Sequence, residues 1–175
     1  VLELQTDRPR PALLTSNGYR CHFEMGVIVS PGLAGLCSEC AVTLMNGGLA
    51  VWASLLGKYC GQDEVVVGIP YANREHPATH DVVGYFVNTL AVRLSVQGST
   101  SFRTVVKSTS EMMSGSVAHA VVPFVKVVEA VAPVRDASRT PIFQTMMAWE
   151  EGGGWGELGE GLAGLQPVQE VERDS

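Results

Sequence analysis

One stretch, from Gly84 to Arg93, constrains the fold of this chain most strongly, because it is apolar with few interruptions. Its residues alternate between two faces that both carry apolar side chains, which is typical of a β-strand. A strand that is apolar on both faces must be buried on both, so we predict a central strand over residues 85–96. Asn88 and Arg93 then need partners, because a buried amide or guanidinium is costly without them. Either they hold two elements in register as a satisfied polar pair, or the strand borders a functional site.

Composition and charge limit the classes of protein to consider. A chain of 175 residues, 46% hydrophobic and 17% charged, can bury the core of one globular domain. A net charge of −6 with scattered basic residues argues against a nucleic-acid partner. We find no apolar run of the roughly 20 residues that span a bilayer and no signal peptide, so we expect no membrane partner. The absence of an initiator Met suggests a piece of a longer protein.

The four cysteines bear on compartment and metal binding. Cys37 and Cys40 form a C-x-x-C, but no second pair completes a zinc site, and the segment has helical periodicity. We interpret them as buried free thiols rather than as a metal or redox site, and expect a reducing, cytoplasmic compartment.

Periodicity and turn signals predict alternating helices and strands, the pattern of an α/β layer domain. Predicted helices cover 30–40, 43–59, 102–119 and 124–131, and predicted strands 18–25, 64–70, 85–96, 142–149 and 165–171. The helix over 43–59 is expected to be mostly buried, with Gly47 and Gly48 where another backbone packs closely. We predict a linker over 1–17, polar loops over 71–83 and 133–141, and a flexible glycine-rich loop over 150–164.

Few residues carry a legible catalytic pattern. His76 and His80 are four apart, but Pro77 lies between them, so a solvated loop is favoured over a metal site. His119 ends a helix, either bonded to carbonyls, which we favour, or as a titrating catalytic group. Asp136 with its neighbours Arg135 and Arg139 is interpreted as a self-satisfied loop anchor.

Four ordered segments closely resemble the motifs of the condensation domain of nonribosomal peptide synthetases, in its C-terminal half. They are TDRPRP at 6–11, YCGQDEVVVG at 59–68, GYFVNTLAVR at 84–93 and RDASRTPIF at 135–143. The third matches the family's G-x-F-V-N-T-x-x-x-R at every defined position. The fourth matches R-D-x-S-R-x-P-L-F with one conservative change, at Ile142.

The chain also departs from the family pattern. The family's H-Q-D-x-P-F-E is HAVVPFV at 119–125, which loses a carboxamide and two carboxylates. The H-H-x-x-x-D-G motif, whose second His is the expected catalytic group, belongs to the family's N-terminal lobe and is absent from these residues. We expect the chain to stop before the last strands of the C-terminal lobe.

The resemblance implies an α/β fold, an incomplete chloramphenicol-acetyltransferase-like lobe with a mixed sheet and flanking helices. Residues 1–17 would be the inter-lobe linker and 18–175 the truncated C-terminal lobe. In the family, two lobes enclose a tunnel in which an acceptor amine attacks a donor thioester. The expected partners are the N-terminal lobe, upstream and downstream carrier proteins whose phosphopantetheine arms are the substrates, and an adenylation domain.

The same resemblance names candidate site residues for the tunnel wall, with no catalytic residue, no metal ligand and no directly bound cofactor in this chain. The candidates are Gly84, Phe86, Asn88, Thr89, Arg93, His119, Arg135, Asp136 and Arg139. Two alternatives stay open. One is a related carrier- or CoA-dependent acyltransferase, forming esters, heterocycles or epimers. The other is a non-catalytic condensation-like domain that recruits partners.

Overall fold

A computed structural model describes residues 2–15, 17–21, 29–131, 134 and 136–150 of the chain. Within these residues, four helices and three strands follow one another, with a short 3-10 helix at Pro77–Thr79. The helices are α1 (Val29–Cys40), α2 (Leu44–Cys60), α3 (Phe102–Ala118) and α4 (Phe124–Val131). The strands are β1 (Glu64–Tyr71), β2 (Asn88–Ser95) and β3 (Thr145–Met146). The predicted α/β class is confirmed.

Local capping chemistry sets the helix ends close to the predicted positions. The Thr43 hydroxyl accepts a hydrogen bond from the amide of Asn46 (3.2 Å) at the start of α2. Ser101 does the same for Thr104 (3.2 Å) at the start of α3. Gly61 ends α2 in the left-handed conformation, with φ of 64°, which glycine adopts without steric cost.

The sheet has the order β2-β1-β3, so β1 lies in the middle. β2 runs antiparallel to β1, with Val92 opposite Val67, and β3 runs parallel to it. Fully buried Leu49 of α2 packs in one core cluster with Val67 and Val92, which joins α2 to the sheet.

The prediction of a central strand over 85–96 is therefore wrong. β2 begins only at Asn88 and lies at the edge of the described sheet. One face of β2 is buried, whereas Arg93 and Ser95 on the other are exposed. Small residues such as Ala91 made that outer face look more apolar in sequence than a buried face requires.

Helix α2 is buried on one side only, contrary to the prediction that most of it is buried. Leu55 and Tyr59 keep 55% and 57% of their surface exposed. Its two inner glycines are closely packed as expected, but against side chains and not against another backbone. A Cβ on Gly47 would lie 2.2 Å from Cys37 Sγ, and one on Gly48 would lie 2.9 Å from the Trp149 ring.

Three other predicted strands differ from the structure or cannot be compared with it. Residues 18–21 are irregular, and 22–28 lie outside the described residues. The strand predicted over 142–149 shortens to Thr145–Met146. The loop predicted over 150–164, except Glu150, and the strand over 165–171 lie outside the described residues.

The N-terminal segment is irregular but is packed onto the domain. Leu2 is 4% exposed and belongs to the core cluster, and the amide of Glu3 donates to Gln62 Oε1 (2.9 Å). Further along, the amide of Leu14 donates to the carbonyl of Ala137 (2.9 Å). The boundary proposed after residue 17 stays a prediction.

Over the described ranges, no single helix is long and apolar enough to cross a membrane. The consecutive helices α1 and α2 pass that test only when taken together, and they are bent by 113° relative to each other.

Candidate functional site

The carboxamide of Asn88 joins the start of β2 to the turn between α3 and α4. Its Nδ2 donates to the carbonyls of Ala120 and Val122, both at 2.8 Å. Its Oδ1 accepts from the amides of Thr89 (2.9 Å) and Phe124 (3.1 Å). All four bonds are within normal range, so the amide is satisfied. The expectation that Asn88 has partners joining two elements is confirmed, but these partners are backbone groups, and Arg93 does not form a polar pair with it.

An aromatic pair continues this connection into the sheet. The rings of Phe124 and Phe143 lie 5.4 Å apart, tilted by 45°, a favourable arrangement for two aromatic side chains. The ring of Phe143 covers the backbone of Gly68 in β1 so closely that a Cβ there would lie 2.6 Å from it. Only glycine leaves room for this ring.

We call Gly68, Asn88, Phe124 and Phe143 the motif junction. Each comes from a different sequence segment that the resemblance singled out: 59–68, 84–93, 119–125 and 135–143. The structure brings them together across β1, β2 and the start of α4. Their chemistry is amide and aromatic packing, which fixes geometry and transfers no proton.

The remaining residues of the 84–93 motif lie on either side of the junction. Thr89 contributes its amide to it. Arg93 lies five residues along the strand, about 17 Å away at the usual strand rise. Its side chain is 69% exposed, with Nε 3.9 Å from Glu64 Oε1. The expectation that Arg93 is buried is wrong, because it points away from the core.

Gly84 and Phe86 belong to the loop before β2. Arg74, which the sequence analysis did not single out, holds this loop in place. The guanidinium of Arg74 donates to the carbonyl of Gly84 (3.1 Å) and lies 4.3 Å from the centre of the Phe86 ring. No pattern in the sequence singles out Arg74, because three of its partners are backbone carbonyls, which every residue carries.

Asp136 and Arg139 form a clamp with the N-terminal segment. Arg139 donates from Nη1 to Glu3 Oε1 (2.8 Å) and from Nη2 to Glu3 Oε2 (3.2 Å). Asp136 accepts from the amide and hydroxyl of Ser138. The interpretation as a loop anchor is confirmed in part, because Arg139 Nε lies 3.4 Å from Asp136 Oδ2. The anchor is not self-satisfied, since Arg139 also binds Glu3. Arg135 lies outside the described residues.

This clamp perturbs the ionisation of its members. Hydrogen bonds from Arg139, and then its charge, hold the pKa of Glu3 below its usual value. The bonds from Ser138 lower the pKa of Asp136, and the bond to Glu3 raises the pKa of Arg139. The clamp is therefore charged at neutral pH.

His119 ends α3 as a capping residue. Its Nδ1 donates to the carbonyl of Gly115 (2.9 Å), and its amide donates to the carbonyls of Ser116 and Val117. The favoured interpretation, a helix-terminal histidine bonded to carbonyls, is confirmed. After it, Ala120 is buried, whereas Val121 and Val125 are 83% and 64% exposed.

The cysteines of α1 are at least half-buried, and the loop histidines form hydrogen bonds within their own loop. Cys37 is buried as predicted, and burial raises the pKa of its thiol, whereas Cys40 is half-buried. His76 accepts from the amide of Ala78 (3.2 Å) and His80 Nε2 donates to the carbonyl of Arg74 (2.9 Å). In the described part of the chain, no three His, Cys, Asp or Glu side chains group to hold a metal ion.

Comparison with known proteins identifies the family. The model of the condensation domain matches residues 1–154. The chain is 41% identical over 148 residues to phosphinothricin tripeptide synthetase PhsB of Streptomyces viridochromogenes, which covers 85% of this chain and 12% of that protein. It is 37% identical over 150 residues to malpinin synthetase of Mortierella alpina, covering 86% of this chain and 2% of that protein.

A solved structure agrees with these relatives. A holo four-domain nonribosomal peptide synthetase bound to AMP and glycine superposes with a TM-score of 0.82 at 33% identity, over 93% of this chain and 12% of that one. The X-domain from teicoplanin biosynthesis shares the fold, with a TM-score of 0.77 at 24% identity, over 83% of this chain and 32% of that one.

The chain belongs to the condensation domain family. It is part of a condensation domain of the nonribosomal peptide synthetase type, with the expected chloramphenicol-acetyltransferase-like fold. It spans only a small fraction of the synthetases that it matches.

Proposed function

We propose that this chain supplies one wall of a condensation tunnel in which a carrier-bound aminoacyl thioester is joined to a carrier-bound donor. The acceptor amine attacks the donor thioester carbonyl. The C–N bond forms, the C–S bond breaks, the donor phosphopantetheine thiol leaves, and the amine loses a proton. The donor and acceptor carrier proteins, the N-terminal lobe and the adenylation domain are the proposed partners.

The observation that carries this proposal is the motif junction. Three of the four family-like segments meet there with the divergent segment 119–125, and they fix the position of β2 and the α3–α4 turn with hydrogen bonds and aromatic contacts. A thioester is already reactive toward an amine, so holding the two reactants in place accounts for much of the acceleration. The chain's contribution to the reaction is then orientation.

Two consequences follow for the chemistry of the chain itself. His119 is occupied as a helix cap, so it takes no part in proton transfer in this proposal. The chain alone forms no amide, because the catalytic histidine motif is expected in the other lobe. The cytoplasmic location expected from the sequence stays a prediction.

The test uses the synthetase that carries this chain, with both carrier domains loaded and the carrier-bound product followed by mass spectrometry. We expect amide product from the wild-type protein, and product formation within about threefold of wild type from His119→Ala. Product formation by the isolated chain, or loss of product in His119→Ala with α3 intact, would contradict this assignment.

A second candidate is a domain that recruits a partner protein without forming an amide. Its support is the exposure of Val121 and Val125, where the family pattern has an aspartate and a glutamate. Loaded carriers without amide product would favour this candidate over condensation.

A further inference from the structure

Arg74 lies three residues beyond the end of β1 and binds the loop in front of β2. Its Nη1 donates to the carbonyls of Thr79 and Val82 (2.9 Å for Val82), and its Nη2 donates to the carbonyl of Gly84 (3.1 Å). A planar guanidinium can reach several carbonyls at once, which the single ammonium of a lysine cannot reproduce. One half-buried side chain thus links three points of the loop.

The same guanidinium lies over the ring of Phe86, 4.3 Å from its centre, which is a cation–π contact. The ring in turn packs on the backbone of Gly84, where a Cβ would lie 3.3 Å from it. The first two candidate residues of the 84–93 motif are therefore both held by Arg74.

We call residues 76–87 the Arg74 loop. Two further side-chain hydrogen bonds hold this loop. Thr79 Oγ1 donates to the carbonyl of His76 (2.6 Å), and the ring of His80 donates to the carbonyl of Arg74 (2.9 Å). Val83 is fully exposed and Tyr85 is 88% exposed. The loop is thus ordered by polar contacts centred on Arg74 and not by burial of its apolar side chains.

The loop leads directly into Asn88 and the motif junction. We propose that Arg74 is a positioning residue for amide formation: it fixes the Arg74 loop and thereby the approach of the chain to Asn88. This inference rests on the proposed function. Misplacing reacting groups by about an ångström can lower a rate by about 100-fold, so a loosened loop should affect turnover more than binding.

The test combines hydrogen exchange of individual peptides with the kinetics of amide formation, both measured on the full synthetase. Arg74→Ala and Arg74→Lys are compared with Arg103→Lys, a matched change at an exposed arginine that pairs with Glu39 (2.6 Å). Phe86→Leu removes the cation–π contact and keeps an apolar side chain. Hydrogen exchange of peptides over 76–88 and over α3 is measured with kcat and KM for amide formation.

We expect faster exchange of the Arg74 loop in both Arg74 variants, unchanged exchange in α3, and a fall in kcat of at least about tenfold with KM kept within about threefold. Phe86→Leu should show a smaller effect in the same direction, and Arg103→Lys none. If Arg74→Ala does not fold, the Arg74→Lys and Phe86→Leu variants carry the same comparison.

Unchanged loop exchange would overturn the proposal, and so would a loosened loop with wild-type kcat. A wild-type synthetase that loads its carriers but forms no amide would instead refute the proposed function. The exchange data would then still show whether Arg74 orders the loop, so the two failures are distinguishable.

Discussion

Replacing Asn88 with alanine tests the structural role of the motif junction directly. The change removes a donor to two carbonyls and an acceptor for the amides of Thr89 and Phe124. A typical hydrogen bond contributes about 1 kcal/mol net, so four bonds set an upper value of about 4 kcal/mol. Asn88 is half-buried and water replaces part of the loss, so we expect about 2–3 kcal/mol.

The variant should lower the free energy of local opening of the α3–α4 turn by this amount. Since 1.4 kcal/mol is a factor of ten, amide exchange in peptides over 119–125 should accelerate about 30- to 150-fold. The measurement is hydrogen-exchange mass spectrometry on the synthetase that carries this chain. Gln97→Ala, an exposed amide beyond the end of β2, serves as the control and should change nothing.

Asn88→Asp sharpens the test because it keeps Oδ1 and loses only the two donors. An ionised carboxylate would face the carbonyls of Ala120 and Val122, which raises its pKa. At each pH the exchange rate is compared with that of wild type at the same pH. The variant should exchange faster than wild type at pH 7, and this difference should shrink as the pH falls through that raised pKa, since the protonated acid can donate one hydrogen bond again. Acceleration below about threefold in both Asn88 variants would refute the reasoning.

Three further predictions concern other contacts. Gly68→Ala should lower the urea midpoint of the domain's unfolding by an amount equivalent to about 1–3 kcal/mol, because its Cβ would meet the Phe143 ring, and Phe143→Leu should restore part of the loss. The pKa of Glu3 is lower in the folded protein than its unfolded value of about 4.3, so its ion pair with Arg139 stabilises the clamp at a pH above that value. This stability is lost as the pH falls through the folded pKa. Protection of the N-terminal segment from proteolysis should therefore fall with acid in wild type. In Glu3→Gln, which has no carboxyl at this position, protection should be weaker at neutral pH and should fall less with acid. Ile142 has a φ of 69°, unfavourable for a β-branched residue, so Ile142→Leu should raise the melting temperature, by an amount equivalent to about 0.5–1 kcal/mol, and an unchanged or lower value would contradict this.

Elements defined by local chemistry were the ones that the sequence predicted well. Helix α4 begins at Phe124 as expected, because Pro123 before it both breaks the preceding helix and suits a new start. Helix α3 begins after the Ser101 cap and ends at His119, as its own sequence indicates. Burial was harder to predict. The exposed faces of α2 and β2 depend on what packs against them, which lies far away in the sequence.

In the candidate site, too, local chemistry was predicted well and burial and long-range contacts were not. Asn88 was correctly expected to need partners, because a carboxamide in an apolar stretch has few alternatives. Arg93 was placed in the core by the same argument and is exposed, since its long side chain reaches solvent from an edge strand. The ion pair of Glu3 with Arg139 spans 136 residues, and the contacts of Arg74 use backbone carbonyls, so neither leaves a local pattern to find.

The central claim is that this chain contributes positioning to amide formation. The most direct measurement is the rate of carrier-bound amide formation by the Asn88→Ala synthetase, with adenylation by the neighbouring domain followed in the same preparation. We predict a fall in amide formation of at least about tenfold with adenylation unchanged. Wild-type amide formation in a variant whose α3–α4 turn exchanges faster would contradict the claim.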